Sequence, residues 1–301
     1  MALEKKKEIR NKRLRKPILA LIYDFDGTLS PTNMQEYGFM KEIGIENVKD
    51  FWKENTEMQH KHNASNILCY MKLMIDKSKA AKKSIKRKQF QDYGKSIELF
   101  NGVQKWFDKI NKVGKDNGVK IEHYINSSGL QEMIEGTPIA GKFKKIFACR
   151  FMYDENDVAV WPAVAVDFTA KTQFLFMINK GIENIYDNNL VNKFVREEDR
   201  LIPFSRMVYF GDGETDVPCM RLVKEKGGNS IAVYKPHNSR KRSCAQKLVN
   251  DKRVNFACAA DYSEDSEIYN IVSTIIKQVR NDFDFQKLEN DNQKKFEPKR
   301  K

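Results

Sequence analysis

The stretch Ile18-Leu19-Ala20-Leu21-Ile22-Tyr23-Asp24-Phe25-Asp26-Gly27-Thr28 decides the fold. Six apolar residues in a row, with no polar alternation, predict a strand buried on both faces, as the central strands of a parallel sheet are. We place that strand over residues 17–24. It ends on two carboxylates two positions apart, and Gly27 lets the chain turn sharply beyond them. Ligands of open α/β sheets collect at the carboxyl ends of the strands. Asp24 and Asp26 are therefore candidates for chemistry in which one carboxylate attacks or binds metal while the other moves protons. Read alone, Asp-Gly is also a common turn signal, so partners elsewhere in the chain must decide.

Working outward, residues 34–98 are polar and charged, with apolar residues such as Ile67, Leu68, Met71, Met74 and Ile75 at helical spacing. They read as a helical insertion. Val103, Trp106, Phe107, Ile110 and Val113 predict an amphipathic helix, and Val119–Ile125 a second strand with Ser127 just past its end. Residues 145–166 predict a strand pair around the turn-rich Asp154-Glu155-Asn156-Asp157, and 172–182 a helix. Met207–Phe210, Ser230–Tyr234 and Val254–Ala257 supply further short strands. A last helix is expected over 264–280, with a frayed polar tail from Gln286 onward. Alternation of strands and helices implies a Rossmann-like parallel α/β sheet flanked by helices.

Three more polar clusters fall at or beside strand ends. Asp212 and Asp216, in Gly211-Asp212-Gly213-Glu214-Thr215-Asp216, follow an apolar strand. Their four-residue spacing puts both carboxylates on one side of a turn. Gathered beside Asp24 they would need a cation, and an all-oxygen donor set favours Mg²⁺. Ser127-Ser128-Gly129 could present hydroxyl and N–H groups to a phosphate oxygen; its plainer meaning is a helix N-cap. Lys171, opening an apolar helix, could neutralise crowded carboxylates, with Lys180 as its rival.

In order and placement these four clusters resemble the motifs of the haloacid dehalogenase-like (HAD) superfamily, from about residue 17 to about 280. Glu98-Leu99-Phe100-Asn101-Gly102 and Tyr124-Ile125-Asn126-Ser127-Ser128-Gly129 resemble its phosphoserine-phosphatase-like branch. Two features depart from that pattern: Ser128 stands where the branch usually has glycine, and 41 residues separate Lys171 from Asp212.

The resemblance implies an Mg²⁺-dependent phosphatase acting on a small phosphorylated metabolite. Asp24 would form an aspartyl-phosphate, while Asp26 protonates the leaving oxygen and later activates water. Ser127, Ser128 and Lys171 would hold phosphoryl oxygens. The metal would take the Asp24 carboxylate, the Asp26 main-chain carbonyl and Asp212, with Asp216 ligating or supporting. Asp26 itself favours phosphate chemistry, because a halide leaving group needs no proton. The family places a mobile cap where residues 34–98 lie, and Glu36, Trp52 and Met58 could line it. Phosphotransfer to another acceptor, and an inactive polyanion-binding protein, stand as alternatives.

The implied organisation is a basic tail (1–16), a core (17–33 and 99–285), the cap (34–98) and a polar tail (286–301). The net charge of +13 is local: residues 1–16 carry +6, 77–88 carry +7 and 287–301 carry +3, leaving the remainder at −3. Solvated lysine runs account for this, so nucleic acid is not expected as a partner. The five cysteines show no metal spacing and read as reduced and mostly buried. Ile18–Tyr23 is too short for a secretion signal and runs into two aspartates, and no apolar run is long enough to span a bilayer. A cytoplasmic protein is expected.

Overall fold

The strands are β1 (Ile18–Tyr23), β2 (Lys120–Leu130), β3 (Lys145–Tyr153), β4 (Ala159–Val164), β5 (Met207–Gly211), β6 (Asn229–Tyr234) and β7 (Phe256–Ala259). In this computed structural model, which describes residues 16–296, they form one sheet in the order β4-β3-β2-β1-β5-β6-β7. The fold is α/β, with every pairing parallel except that of β3 with β4.

The apolar run of β1 has the meaning its sequence suggests. Leu19 to Tyr23 are wholly buried between β2 and β5, and Tyr23 stands opposite both Ile125 and Phe210. The chain builds outward from β1 on one side through β2 and β3, then returns to its other side with β5. The end of β1 is thus the switch point at which a doubly wound sheet opens a crevice. Asp24 is the next residue, and its N–H donates to the Phe210 carbonyl at 2.9 Å.

Helices α1 (Phe39–Glu42), α2 (Val48–His62), α3 (Asn66–Ala80) and α4 (Arg87–Gly94) lie between β1 and β2. Asn47 and Ser65 cap α2 and α3, accepting from Lys49 N at 3.1 Å and Leu68 N at 3.4 Å. Ile67, Tyr70, Met71, Met74 and Ile75 bury the inner face of α3. Leu68, expected on that face, points outward. The remaining helices are α5 (Val103–Asp116), α6 (Gln131–Glu135), α7 (Ala170–Lys180), α8 (Asn188–Asn192), α9 (Val217–Glu225), α10 (Ser239–Asn250) and α11 (Glu267–Phe296).

Val103, Trp106, Phe107 and Ile110 of α5 are buried. Trp106 donates to the Tyr23 hydroxyl at 2.9 Å; that hydroxyl lies 3.1 Å from His123 Nδ1, and His123 Nε2 lies 3.1 Å from Asn111 Oδ1. This buried chain fixes α5 against β1 and β2.

Two boundaries differ from expectation, those of β2 and of the last helix, while the strand pair within 145–166 forms where expected. β2 runs on through Leu130, so Ser127 lies inside the strand; its register with β3 shifts between Asn126 and Leu130. The β3–β4 turn is closed by Asp154, whose Oδ1 accepts from Asn156 N and Val158 N at 2.9 Å each. The last helix continues through Phe296 instead of ending near 280, because residues 281–296 contain no glycine or proline to stop it and Arg280 pairs with Asp284 one turn on.

The basic segment 77–88 is partly neutralised: Lys77 pairs with Glu54 at 2.5 Å, Arg87 with Asp157 at 3.3 Å and Lys88 with Asp92 at 2.5 Å. All five cysteines are free thiols, and only Cys244 is exposed. Residues 1–15, nearly all of the expected basic tail, and 297–301, the end of the expected polar tail, lie outside the described residues. Among the described residues no helix is long and apolar enough to cross a membrane.

Candidate active site

Asp24, Asp26, Asp212 and Asp216 converge at the carboxyl ends of β1 and β5. Oxygens of Asp24, Asp212 and Asp216 lie within 4.8 Å of one another. Gly27 explains how two loops approach so closely. Its φ is +77°, and a Cβ there would fall 2.3 Å from the Asp212 carboxyl group. Only glycine satisfies both conditions.

Lys171, second residue of α7, is fully buried among these acids. Its Nζ lies 3.1 Å from Asp24 Oδ1 and 2.6 Å from Asp216 Oδ1. Asn126 Nδ2 holds the start of α7 by donating to the Lys171 carbonyl at 3.0 Å, and the Tyr209 hydroxyl donates to Asp216 Oδ1 at 2.8 Å. Lys180 has a different place. At the far end of α7 it donates to the carbonyls of Val191 and Lys193.

Asp26 faces the other way, toward the end of β2. Its Oδ1 accepts from Met34 N at 3.1 Å, and Met34 Sδ accepts from Leu130 N at 3.0 Å. Gly129 lies against this pair: a Cβ there would sit 2.2 Å from Met34 Cε and 3.3 Å from Asp26 Oδ2. Ser127 is buried, its Oγ accepting from Gly129 N at 3.1 Å. The Ser128 hydroxyl is buried without a hydrogen-bond partner among the described residues. The Ser128 carbonyl accepts from Tyr70 of α3 at 2.8 Å, and Ser65 donates to Asp167 Oδ2 at 2.7 Å. These bonds join the inserted helices to the rim of the site.

Burial and the Asp24 charge hold the Asp26 carboxyl well above its ordinary range. Burial, with Asp216 beside it, raises Asp24 to about 7 against the pull of Lys171. Burial alone would lower Lys171, but Asp216 and Asp24 outweigh it and keep the ammonium charged. Burial raises Asp212, and Lys241 works against the rise, with its Nζ 2.8 Å from Asp212 Oδ2. Two lysines therefore face three carboxylates, Asp24, Asp212 and Asp216. A cluster this closely packed, with oxygen as its only donor, fits a hard divalent cation.

In front of these residues opens a cavity of about 500 Å³, whose lining includes Asp26, Glu36, Phe168, Asp212, Glu214 and Lys241. Glu36 thus reaches the cavity. Trp52 and Met58 do not line it; Trp52 is half-buried, with its ring against Phe51 and Tyr70.

Sequence reasoning missed Met34, Asn126, Tyr209 and Lys241. Asn126 and Tyr209 carried a signal, being polar groups set in apolar strands; Met34 and Lys241 carried none beyond position.

No protein-family model matches the chain. An uncharacterized protein of Borreliella burgdorferi is 30% identical over 283 residues, covering 85% of this chain and 95% of that one. Among solved structures, a substrate-bound phosphoserine phosphatase complex superposes with a TM-score of 0.51 at 17% identity, covering 86% of this chain and 99% of that chain. A HAD family hydrolase from Salmonella enterica serovar Typhi gives a TM-score of 0.50 at 15% identity, covering 83% and 74%.

Proposed function

For this chain, which belongs to one family with the Borreliella burgdorferi protein and has the haloacid dehalogenase-like fold of the phosphoserine-phosphatase kind, we propose an Mg²⁺-dependent phosphatase activity on a small phosphate monoester. The observation that carries the reading is the buried contact of Lys171 with both Asp24 and Asp216 beside Asp212.

Asp24 is the nucleophile. A carboxylate oxygen of Asp24 forms a bond to phosphorus as the bond to the leaving oxygen breaks, and Asp26 gives its proton to that oxygen. Water then attacks the phosphorus of the aspartyl-phosphate. Asp26 takes back the proton, phosphate leaves, and the Asp24 carboxylate is restored. The bond from Met34 N fixes the Asp26 carboxyl for both transfers. Lys171, Ser127 and Ser128 meet the phosphoryl oxygens, the unpartnered Ser128 hydroxyl being a donor in want of an acceptor.

Asp24, Asp212 and the Asp26 main-chain carbonyl, with Asp216 ligating or behind them, would hold Mg²⁺. When bound it would supply positive charge for the phosphoryl group. Asp216, already engaged by Lys171 and Tyr209, sets the position of the lysine. The inserted helices, residues 34–98, act as a cap through Glu36 and the Tyr70–Ser128 bond, and the cavity is of a size for a metabolite. A cytoplasmic location belongs to the same reading.

A panel of phosphate monoesters assayed with Mg²⁺, beside Asp24→Asn and with EDTA, tests the proposal. Phosphate release by wild type alone, lost in EDTA, is expected. Equal release by the variant, or indifference to EDTA, would defeat it.

A further inference from the structure

Lys241 comes to the site from outside the segments that deliver its carboxylates. It is the third residue of α10, and its own N–H donates to the capping Asn238 Oδ1 at 3.0 Å. That places the ammonium at the mouth of the cavity, where it pairs with Asp212 Oδ2 at 2.8 Å.

The two lysines of the site are unlike. Lys171 is wholly buried and clamped between two carboxylates, so it cannot leave without stranding charge in the interior. Lys241 has a side chain 49% exposed, and Asp212 is the one ion-pair partner shown for it among the described residues. Its four-carbon stem lets the ammonium swing at little cost. Glu36 and Glu214 line the same cavity and would receive it there.

Asp212 is also a carboxylate that the proposed activity needs for its metal, and the present inference rests on that reading. An ammonium and a divalent cation cannot both sit against one carboxylate in a partly buried pocket without mutual repulsion. We propose that Lys241 is a displaceable counter-cation: it neutralises Asp212 while no metal is bound, swings into the cavity when metal enters, and so sets how tightly the site loads.

The test is calorimetric titration of the full chain with Mg²⁺ in the absence of substrate, for wild type, Lys241→Met, Lys241→Arg and Asp212→Asn, together with melting temperatures in EDTA. A half-exposed ion pair is worth up to about a fivefold change in an equilibrium constant. Lys241→Met should therefore bind Mg²⁺ up to about fivefold more tightly than wild type and melt lower in EDTA. Lys241→Arg should stay near wild type, and Asp212→Asn should lose binding. Unchanged or weaker binding by Lys241→Met, with Asp212→Asn still defective, overturns the role of Lys241 alone. Absence of Mg²⁺ uptake by every protein overturns it together with the metal reading beneath it.

Discussion

Lys171 Nζ lies 3.1 Å from Asp24 Oδ1, in a position solvent does not reach, and the same ammonium lies 2.6 Å from Asp216. The pair joins the end of β1 to the start of α7, elements far apart in the chain. It also makes the electrostatic environment of Asp24 depend on a residue distant in the chain.

Lys171→Met should therefore cost both stability and turnover. Removing one partner of a buried ion pair costs about 3–5 kcal/mol, because the other charges remain buried. Denaturant unfolding at neutral pH should show that loss, and phosphate release should fall to background. Lys180→Met, at the far end of the same helix, should leave turnover near wild type.

Mg²⁺ should stabilise the folded protein. A ligand at 100 times its Kd raises stability by about 2.7 kcal/mol, so thermal melting should shift upward with added Mg²⁺. The shift should vanish in Asp212→Asn. Ca²⁺, larger and tolerant of irregular shells, should bind without supporting turnover.

Gly27→Ala should fold but turn over far more slowly. Its Cβ would land 2.3 Å from the Asp212 carboxyl group, at a backbone φ of +77° that alanine resists. Displacing a catalytic group by an ångström costs about 10²-fold in rate. A normal far-ultraviolet circular dichroism spectrum with phosphate release lowered to that extent is the expected pair of results.

Stability should fall in mild acid through His123. Burial pushes its imidazole down to about 3, with Asp108 pulling upward and Lys142 downward. The unfolded chain takes up the proton near pH 6.5 while the folded chain does not, so the contribution of His123 is complete above about pH 6.5 and is lost as pH falls toward 3. Urea midpoints measured across that window should decline less steeply in His123→Gln, by about one proton's worth of slope.

The sheet was legible because its strands are short apolar runs that end on polar residues, and β1 shows this most plainly. Asp24, Asp26, Asp212 and Asp216 could be found for the same reason. Lys171 could be nominated but not told from Lys180, since both lie on one helix and only the turn of α7 against Asn126 decides which end meets the acids. Met34 and Lys241 could not be read at all. The Met34 amide and sulfur act through a loop conformation, and Lys241 is one basic residue in the run Arg240-Lys241-Arg242. Trp52 and Met58 lie in the inserted segment but do not line the cavity beside Asp26, since position within that segment says nothing of which neighbours a side chain packs against; Trp52 packs on Phe51 and Tyr70. The length of α11 was underestimated because polar residues on a helix without breakers resemble a tail.

The most direct measurement is on Asp24 itself. Wild-type protein turning over a labelled phosphate monoester with Mg²⁺ is quenched in acid, digested, and the peptides searched for bound phosphate. An acid-stable, base-labile acyl phosphate on the peptide that carries Asp24, absent from Asp24→Asn, is the expected result. Turnover without any labelled peptide, and with Asp24→Asn still active, would contradict the assignment of Asp24 as nucleophile.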